Sequence, residues 1–414
     1  YPVYGAFFWF FGALSYKFIK KYKRDGDAPI LNKDDQPFIT IMIPAHNEEI
    51  MIAETIEYLF NQLNYDHYEV LVMDDGSTDE TNNILRRLQT KYSQLRVIKV
   101  VENKGKAHAF NIGLHFAKGE YILSNDADTL PEPDALLKYM AFFNRPEDMN
   151  TAAVTANMDV QNRTTLLGKS QTVEFSSIVG VIKRSQTAVN DSMYAYSGAN
   201  TMYKKQFLID VGGFRQDRAT EDISIAWDHQ MFGTTPRFAP DIIFHMNVPE
   251  SIGDLYKQRK RWAQGGTEVW LTNAGKFIRH PIEHRYTMSM FLDSTLSIIW
   301  SFFFYITTII FSLSMVTYLF QGDYERLFHG FIMAFIFVSF EVFAGLLQLL
   351  AALLLDHRGA KFKYLLFAPL YMLFFWVINP TTIITTFIQA VKAWLGYGHG
   401  TWRSPERKSL QKHN

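Results

Sequence analysis

Charge is distributed along this chain so unevenly that it divides the molecule before any motif is read. Residues 294–322 and 364–391 contain no Asp, Glu, Lys or Arg, and residues 327–355 contain Glu341 as their only such residue. Each stretch exceeds the roughly 20 apolar residues that cross the hydrocarbon core of a bilayer. Three of them in one chain predict an integral membrane protein. Residues 1–16 are also uncharged and are followed by KFIKKYKR (17–24), with five basic residues in eight. Basic residues placed after the apolar run read as a membrane helix, shortened at its start, with an inner-side anchor rather than as a secretory signal.

This divides the chain into an N-terminal membrane helix and anchor (1–24), a large polar domain (25–250), interfacial helices (251–290), C-terminal membrane helices (291–395) and a basic tail (396–414). The basic flank at 17–24 places the polar domain in the cytosol, with QGDYER (321–326) outside and DHRGAKFK (356–363) inside. Asn379-Pro380 is expected to break the last apolar stretch into a hairpin, a re-entrant pair, or a span joined to an interfacial helix, leaving the tail cytosolic. Glu341, an acid inside a span, is a functional candidate by default.

Composition excludes several classes. There is no cysteine in 414 residues, which removes disulfide scaffolds, zinc-thiolate sites and cysteine nucleophiles. Forty-one basic residues balance 41 acidic ones, without the basic excess of a nucleic-acid binder, so no nucleic-acid partner is expected.

Within the polar domain, FITIMI (38–43), EVLVMD (69–74), RVIKVV (96–101) and EYILSN (120–125) read as buried strands. Helical segments at 48–62, 78–89 and 105–117 alternate with them, predicting a doubly wound α/β sheet. Ligands of such sheets bind beyond the carboxyl ends of the strands. The loops there read PAHNEE (44–49), DDGSTDE (74–80), ENKGKAHA (102–109) and NDADT (125–129). DDGSTDE suits either a tight turn with a helix cap or, through Asp75, hydrogen bonds to a nucleotide base or ribose. Asp126 and Asp128 stand one residue apart at a strand mouth. Such a pair suits a hard cation, Mg²⁺ or Mn²⁺, bridged to a diphosphate, with Lys104 and Lys106 adding positive charge. Glu221-Asp222 is either a solvated helix start or a general base. Gln258, Arg261 and Trp262 share one helical face, which would either anchor an interfacial helix or grip a sugar.

PAHNEE, DDGS, NKGKAHAFN, DADT, TED (220–222) and QRKRW (258–262), in that order, resemble the processive family-2 glycosyltransferases: cellulose, chitin, hyaluronan and poly-N-acetylglucosamine synthases. LLGKSQTVEFSSIVGVIKRSQT (166–187), VPESIGDLYKQRKRWAQGG (248–266) and GTWRSPER (400–407) are most similar to the bacterial poly-β-1,6-N-acetylglucosamine group. The SGANTMY segment (197–203) stands where more hydrophobic variants also occur.

The resemblance implies a cytosolic GT-A (Rossmann-like) domain inserted between membrane helices. It also implies an inverting polymerase that takes UDP-N-acetylglucosamine, extends a polysaccharide acceptor and exports it through the bilayer, with a small membrane accessory subunit as a further partner. By the same resemblance, Asn47, Glu48 and Asp75 hold uridine, and Lys106 lies beside the nucleotide sugar. Asp126 and Asp128 bind the cation and diphosphate, Asp222 is the base, and Gln258, Arg261 and Trp262 hold the acceptor. Trp402 and Arg403, on a Gly-rich strap, are expected to gate the UDP site. A hyaluronan- or chitin-like synthase with another donor or linkage is the alternative.

Overall fold

A computed structural model describes residues 2–20, 35–143 and 148–397. The basic run at 21–24 and the Trp402–Arg403 pair lie outside the described residues. Helix α1 (Pro2–Ser15) continues as a wide π turn (Tyr16–Lys20). Then come β1 (Ile39–Ala45), α2 (Ile52–Gln62), β2 (Tyr68–Asp75), α3 (Thr81–Lys91), β3 (Leu95–Val100), α4 (Lys106–Phe116) and β4 (Tyr121–Asn125). The second half of the domain holds β5 (Leu130–Pro131), α5 (Ala135–Met140), β6 (Thr151–Val160), α6 (Leu166–Phe175) and α7 (Lys183–Asn190). It continues with β7 (Asn200–Lys204), α8 (Lys205–Asp210), α9 (Glu221–Met231) and β8 (Thr235–Met246). Four long helices follow: α10 (Ile252–Arg279), α11 (Met288–Gln321), α12 (Tyr324–Leu355) and α13 (Ala368–Trp394).

The strands form one sheet in the order β3-β2-β1-β4-β7-β6-β8-β5. The first four are parallel, as their apolar runs predict. Beyond β4 the sheet is mixed, because β7 pairs antiparallel with both β4 and β6. Alternate residues of the central strands face opposite sides of the sheet. Ile41, Ile43, Val70, Val72 and Leu123 enter one core, and Met42, Leu71, Met73 and Ile122 the other. Helix α2 covers the first core through Ile52, Thr55, Ile56 and Leu59, spaced for one helical face.

Three helical segments are long and apolar enough to cross a membrane: Met288–Gln321, Tyr324–Leu355 and Phe362–Trp394. The first two present large side chains such as Phe303, Ile310, Phe335 and Phe337 outward, the reverse of a soluble helix and what lipid favours. The chain is a membrane protein. Helix α1, with 14 residues, rises about 21 Å, and it packs on α7 and α12. Glu341 falls within α12.

The expected break at Asn379-Pro380 is absent: α13 runs unbroken through Pro380. A proline removes one backbone donor, and the helix continues past it with hydroxyls bonded to adjacent carbonyls. Thr381 donates to the carbonyl of Val377, and Thr382 to that of Asn379. This corrects the hairpin and re-entrant readings.

A buried polar cluster fastens the turn between α12 and α13 to the catalytic sheet. Lys361 Nζ lies 2.8 Å from Asp159 Oδ1 and 2.7 Å from Asp356 Oδ2. Asn157 on β6 donates to Asp356 Oδ1 at 2.7 Å, and Ser176 to its Oδ2 at 2.8 Å. Arg163 also pairs with Asp159. The DHRGAKFK turn therefore lies on the same side as the α/β domain.

Candidate active site

The loops after β1 to β4 meet at one end of the sheet. Asn47 adopts a left-handed backbone (φ 57°), uncommon for a residue with a side chain and frequent at functional sites. Its N–H donates to Ser77 Oγ at 3.0 Å, and its Oδ1 accepts from the Thr78 N–H at 2.8 Å. Glu48 is buried, and its N–H donates to Thr81 Oγ1.

Both readings of DDGSTDE hold, one for each aspartate. Asp74 is the structural one: its carboxylate accepts from the Ser77 N–H and from the Asn82 amide. Asp75 faces the loop after β3, accepting from the N–H groups of Lys104 (3.3 Å) and Gly105 (2.9 Å). Burial pushes its pKa upward, partly offset by those two bonds. Gly105 reaches this position at φ +92° while starting α4, a conformation that favours glycine.

Lys106 is the hub. Its ammonium is 9% exposed and lies 2.7 Å from Asp126 Oδ1 and 3.2 Å from Glu221 Oε1, and it donates to the Gly198 carbonyl at 3.2 Å. Burial works against its charge, but Asp126, Glu221 and Asp222 outweigh burial and hold its pKa above the ordinary lysine value. A methyl group on Gly198 would meet both Glu221 Oε1 and Lys106 Nζ at 2.9 Å. That glycine is what lets the three approach. Lys104 does not join the cluster; its ammonium turns outward to Glu102.

Asp222 opens α9. Its Oδ2 accepts from the Gly198 N–H at 3.2 Å and its Oδ1 from the Ile223 N–H at 2.9 Å. Burial and the neighbouring Glu221 carboxylate push its pKa up to about 6, with Lys106 and Arg261 opposing. Glu221 is also buried, but Lys106 and Arg261 prevail over burial and hold it low. Adjacent carboxylates with pKa values driven apart are the arrangement of an acid–base site.

Asp126 is 34% exposed and Asp128 is buried. Among the described residues no three His, Asp or Glu side chains converge as a metal-binding set. Asp126 and Asp128 are the two carboxylates that would hold a cation here. That donor set suits a hard divalent ion bound together with a diphosphate.

Helix α10 closes the site. Gly265 packs so tightly on Thr220 that a methyl there would lie 2.1 Å from its hydroxyl. Glu268, fully buried, accepts from the Ala219 N–H at 2.9 Å and from Gln264, fixing the turn before Glu221. Arg261 Nη1 donates to the Ala219 carbonyl at 3.5 Å. Arg259 stacks on the Trp262 ring, 4.1 Å from its centroid, and Glu174 grips its guanidinium at 3.1 and 2.8 Å. Gln258 accepts from Arg259 as well.

Lys106 thus joins Asp126 directly and Asp222 through Gly198. Asp75 holds the Gly105 turn before Lys106, and His46 links Asn47 to Asp75. Arg261 acts on Asp222 from α10, with Gln258 and Trp262 alongside. Gly198, Glu174, Arg259 and Glu268 have no role in the sequence motifs, and Glu221 has one only as part of the Glu221-Asp222 pair. Glu221 and Gly198 lie within the TED and SGANTMY segments and were marked to that extent.

The Glycosyl transferase family 2 model matches residues 40–212. A poly-beta-1,6-N-acetyl-D-glucosamine synthase of Staphylococcus epidermidis is 32% identical, over 100% of this chain and 98% of its own length. The synthase of the same description from Staphylococcus aureus (strain COL) is also 32% identical with the same coverage. Among solved structures, a mannosyltransferase from Pyrobaculum calidifontis, PcManGT in complex with GDP-Man and Mn²⁺, covers 90% of this chain and 98% of its own. It has a TM-score of 0.59 at 20% identity, a likeness of fold. Matched by that family's model and related along its whole length to these synthases, this chain belongs to glycosyltransferase family 2.

Proposed function

We propose that the chain is a processive, inverting synthase that polymerises N-acetylglucosamine from UDP-N-acetylglucosamine into a β-1,6-linked polysaccharide. The observation that carries this reading is the placement of Asp222. A carboxylate with a raised pKa stands across Gly198 and Lys106 from the Asp126–Asp128 pair. Inversion by a single displacement needs that polarity, with a base on the acceptor side and positive charge on the leaving-group side. The specific donor and linkage rest on the full-length likeness to the staphylococcal synthases.

Asn47, Glu48 and Asp75 line the nucleotide end, where Asp75 has a carboxylate edge suited to uridine. Asp126 and Asp128 would hold Mg²⁺ or Mn²⁺ with the diphosphate, and the cation would stabilise charge on departing UDP. Lys106 supplies a fixed positive charge beside the same phosphates. Asp222 accepts the proton of the attacking hydroxyl, and Gln258, Arg261 and Trp262 hold the acceptor sugar, with Trp262 stacking on its ring. The gating role of Trp402 and Arg403 stays an expectation from sequence.

The membrane arrangement in this reading is multi-pass, with the catalytic domain cytosolic. The DHRGAKFK turn, basic and fastened to the α/β domain, supports a shared cytosolic side. The helices beside α10 would give the product a route outward, and a small membrane subunit is a further partner.

The test uses membranes carrying the full chain, supplied with UDP-N-acetylglucosamine and Mg²⁺. A β-1,6-linked polymer is expected from the wild type. Asp222→Asn should abolish it while leaving UDP affinity within about twofold. Normal polymer yield from that variant would remove Asp222 as the base.

A further inference from the structure

Lys183 opens α7 and is 7% exposed, yet its ammonium has no hydrogen-bond or ion-pair partner among the described residues. Burying an unpaired charge costs several kcal/mol, so the group is held for something other than packing. The charged side chain that acts on it is Asp222. Burial draws its pKa down to about 8, with Asp222 opposing.

The helix geometry says where it faces. Ser185, about 200° around the helix from Lys183, lies against Gly12 of α1, so Lys183 points away from that apolar contact. Gln186, one turn on and on the same face as Lys183, accepts from the Tyr194 N–H at 3.1 Å. The Tyr194 ring in turn reaches α10, its hydroxyl 2.1 Å from where a Cβ of Gly266 would stand. Lys183 is thus on the α7 face that borders Tyr194, which packs on the helix carrying Gln258, Arg261 and Trp262, and Asp222 is the acid that acts on it. The nucleotide-side groups come instead from the loops after β1 to β4.

We propose that Lys183 binds the terminal sugar of the acceptor chain, its ammonium donating hydrogen bonds to neutral oxygens of that sugar beside Asp222. This inference rests on the proposed polymerase reading. An anionic ligand in the same place would meet the charges of Asp222 and Glu221, whereas hydroxyl and acetamido oxygens accept from a cation without that repulsion. Two donors from opposite walls, Lys183 and the α10 face, would fix which hydroxyl reaches the base.

The experiment compares wild type, Lys183→Met and Lys183→Arg as full chains in membranes. Three quantities are measured: UDP affinity, polymer formation at saturating donor, and its stimulation by a short β-1,6-linked N-acetylglucosamine oligomer. Lys183→Met should keep UDP affinity within about twofold, lose about tenfold to a hundredfold in polymer formation, and need correspondingly more oligomer. Lys183→Arg should recover most of that loss. Wild-type oligomer dependence in Lys183→Met overturns the inference while the polymerase reading stands. Parallel loss of UDP affinity and synthesis in both variants gives Lys183 a structural role and also overturns it. A wild-type protein that makes no N-acetylglucosamine polymer refutes the polymerase reading, and this inference with it.

Discussion

The Glu221–Asp222 pair makes a quantitative prediction about acidity. Asp222 sits about two pH units above its ordinary value of 3.8, near 6, equivalent to about 3 kcal/mol. As a base it must be ionised, so turnover should decline tenfold per unit as pH falls below about 6. Burial is the larger cause of the rise and the Glu221 charge the second. Glu221→Gln removes the second and leaves the first. It also releases Lys106 from a partner 3.2 Å away, and the freed ammonium favours ionised Asp222 further. Both effects have the same sign. The acid limb of kcat should therefore move down by about one unit, so that at pH 5 about half of Asp222 is ionised, against about a tenth in the wild type. The assay is polymer formation against pH at saturating donor and cation, each protein scaled to its own plateau. A limb that stays in place or moves up would refute the electrostatic account of the pair.

Two further perturbations test the surrounding structure. Asp128→Asn removes one of two carboxylates at the β4 mouth and should raise the Mg²⁺ or Mn²⁺ concentration for half-maximal activity by at least about tenfold, read by cation titration. Lys361→Met leaves Asp159 and Asp356 buried without their shared cation. It should cost about 3–5 kcal/mol and lower the thermal transition of the detergent-solubilised protein by several degrees. An unchanged transition would mean that the cluster is solvated rather than buried.

The parts of the site legible in the sequence are those set by local order. Strand β4 ends at Asn125 and Asp126 follows at once, so an apolar run ending in an acid is enough to place that carboxylate at the sheet edge. Lys106 is similar, because Gly105 marks both the turn and the helix start. Contacts made at a distance carry no such signal. Glu174 and Arg259 are separated by 85 positions, and Gly198 looks like any loop glycine until Lys106 and Glu221 are seen on either side. The mixed half of the sheet was hidden for the same reason, since β7 pairs with β4 and β6 across intervening helices. Pro380 misled because a proline is a helix breaker in water, whereas a long membrane helix tolerates the loss of one backbone bond.

The polar cluster around Asp356 also bears on how the molecule is made. Asn157 and Asp356 are 199 positions apart, which at 5–20 residues per second is roughly 10–40 s of synthesis. During that interval the sheet has been translated but its buried carboxylate at Asp159 has no lysine. The cation that completes it arrives only after α11 and α12 have been made and the chain has turned back. Maturation of the catalytic domain is thereby tied to delivery of the membrane hairpin, and a chain that fails to insert would leave Asp159 with Arg163 but without Lys361.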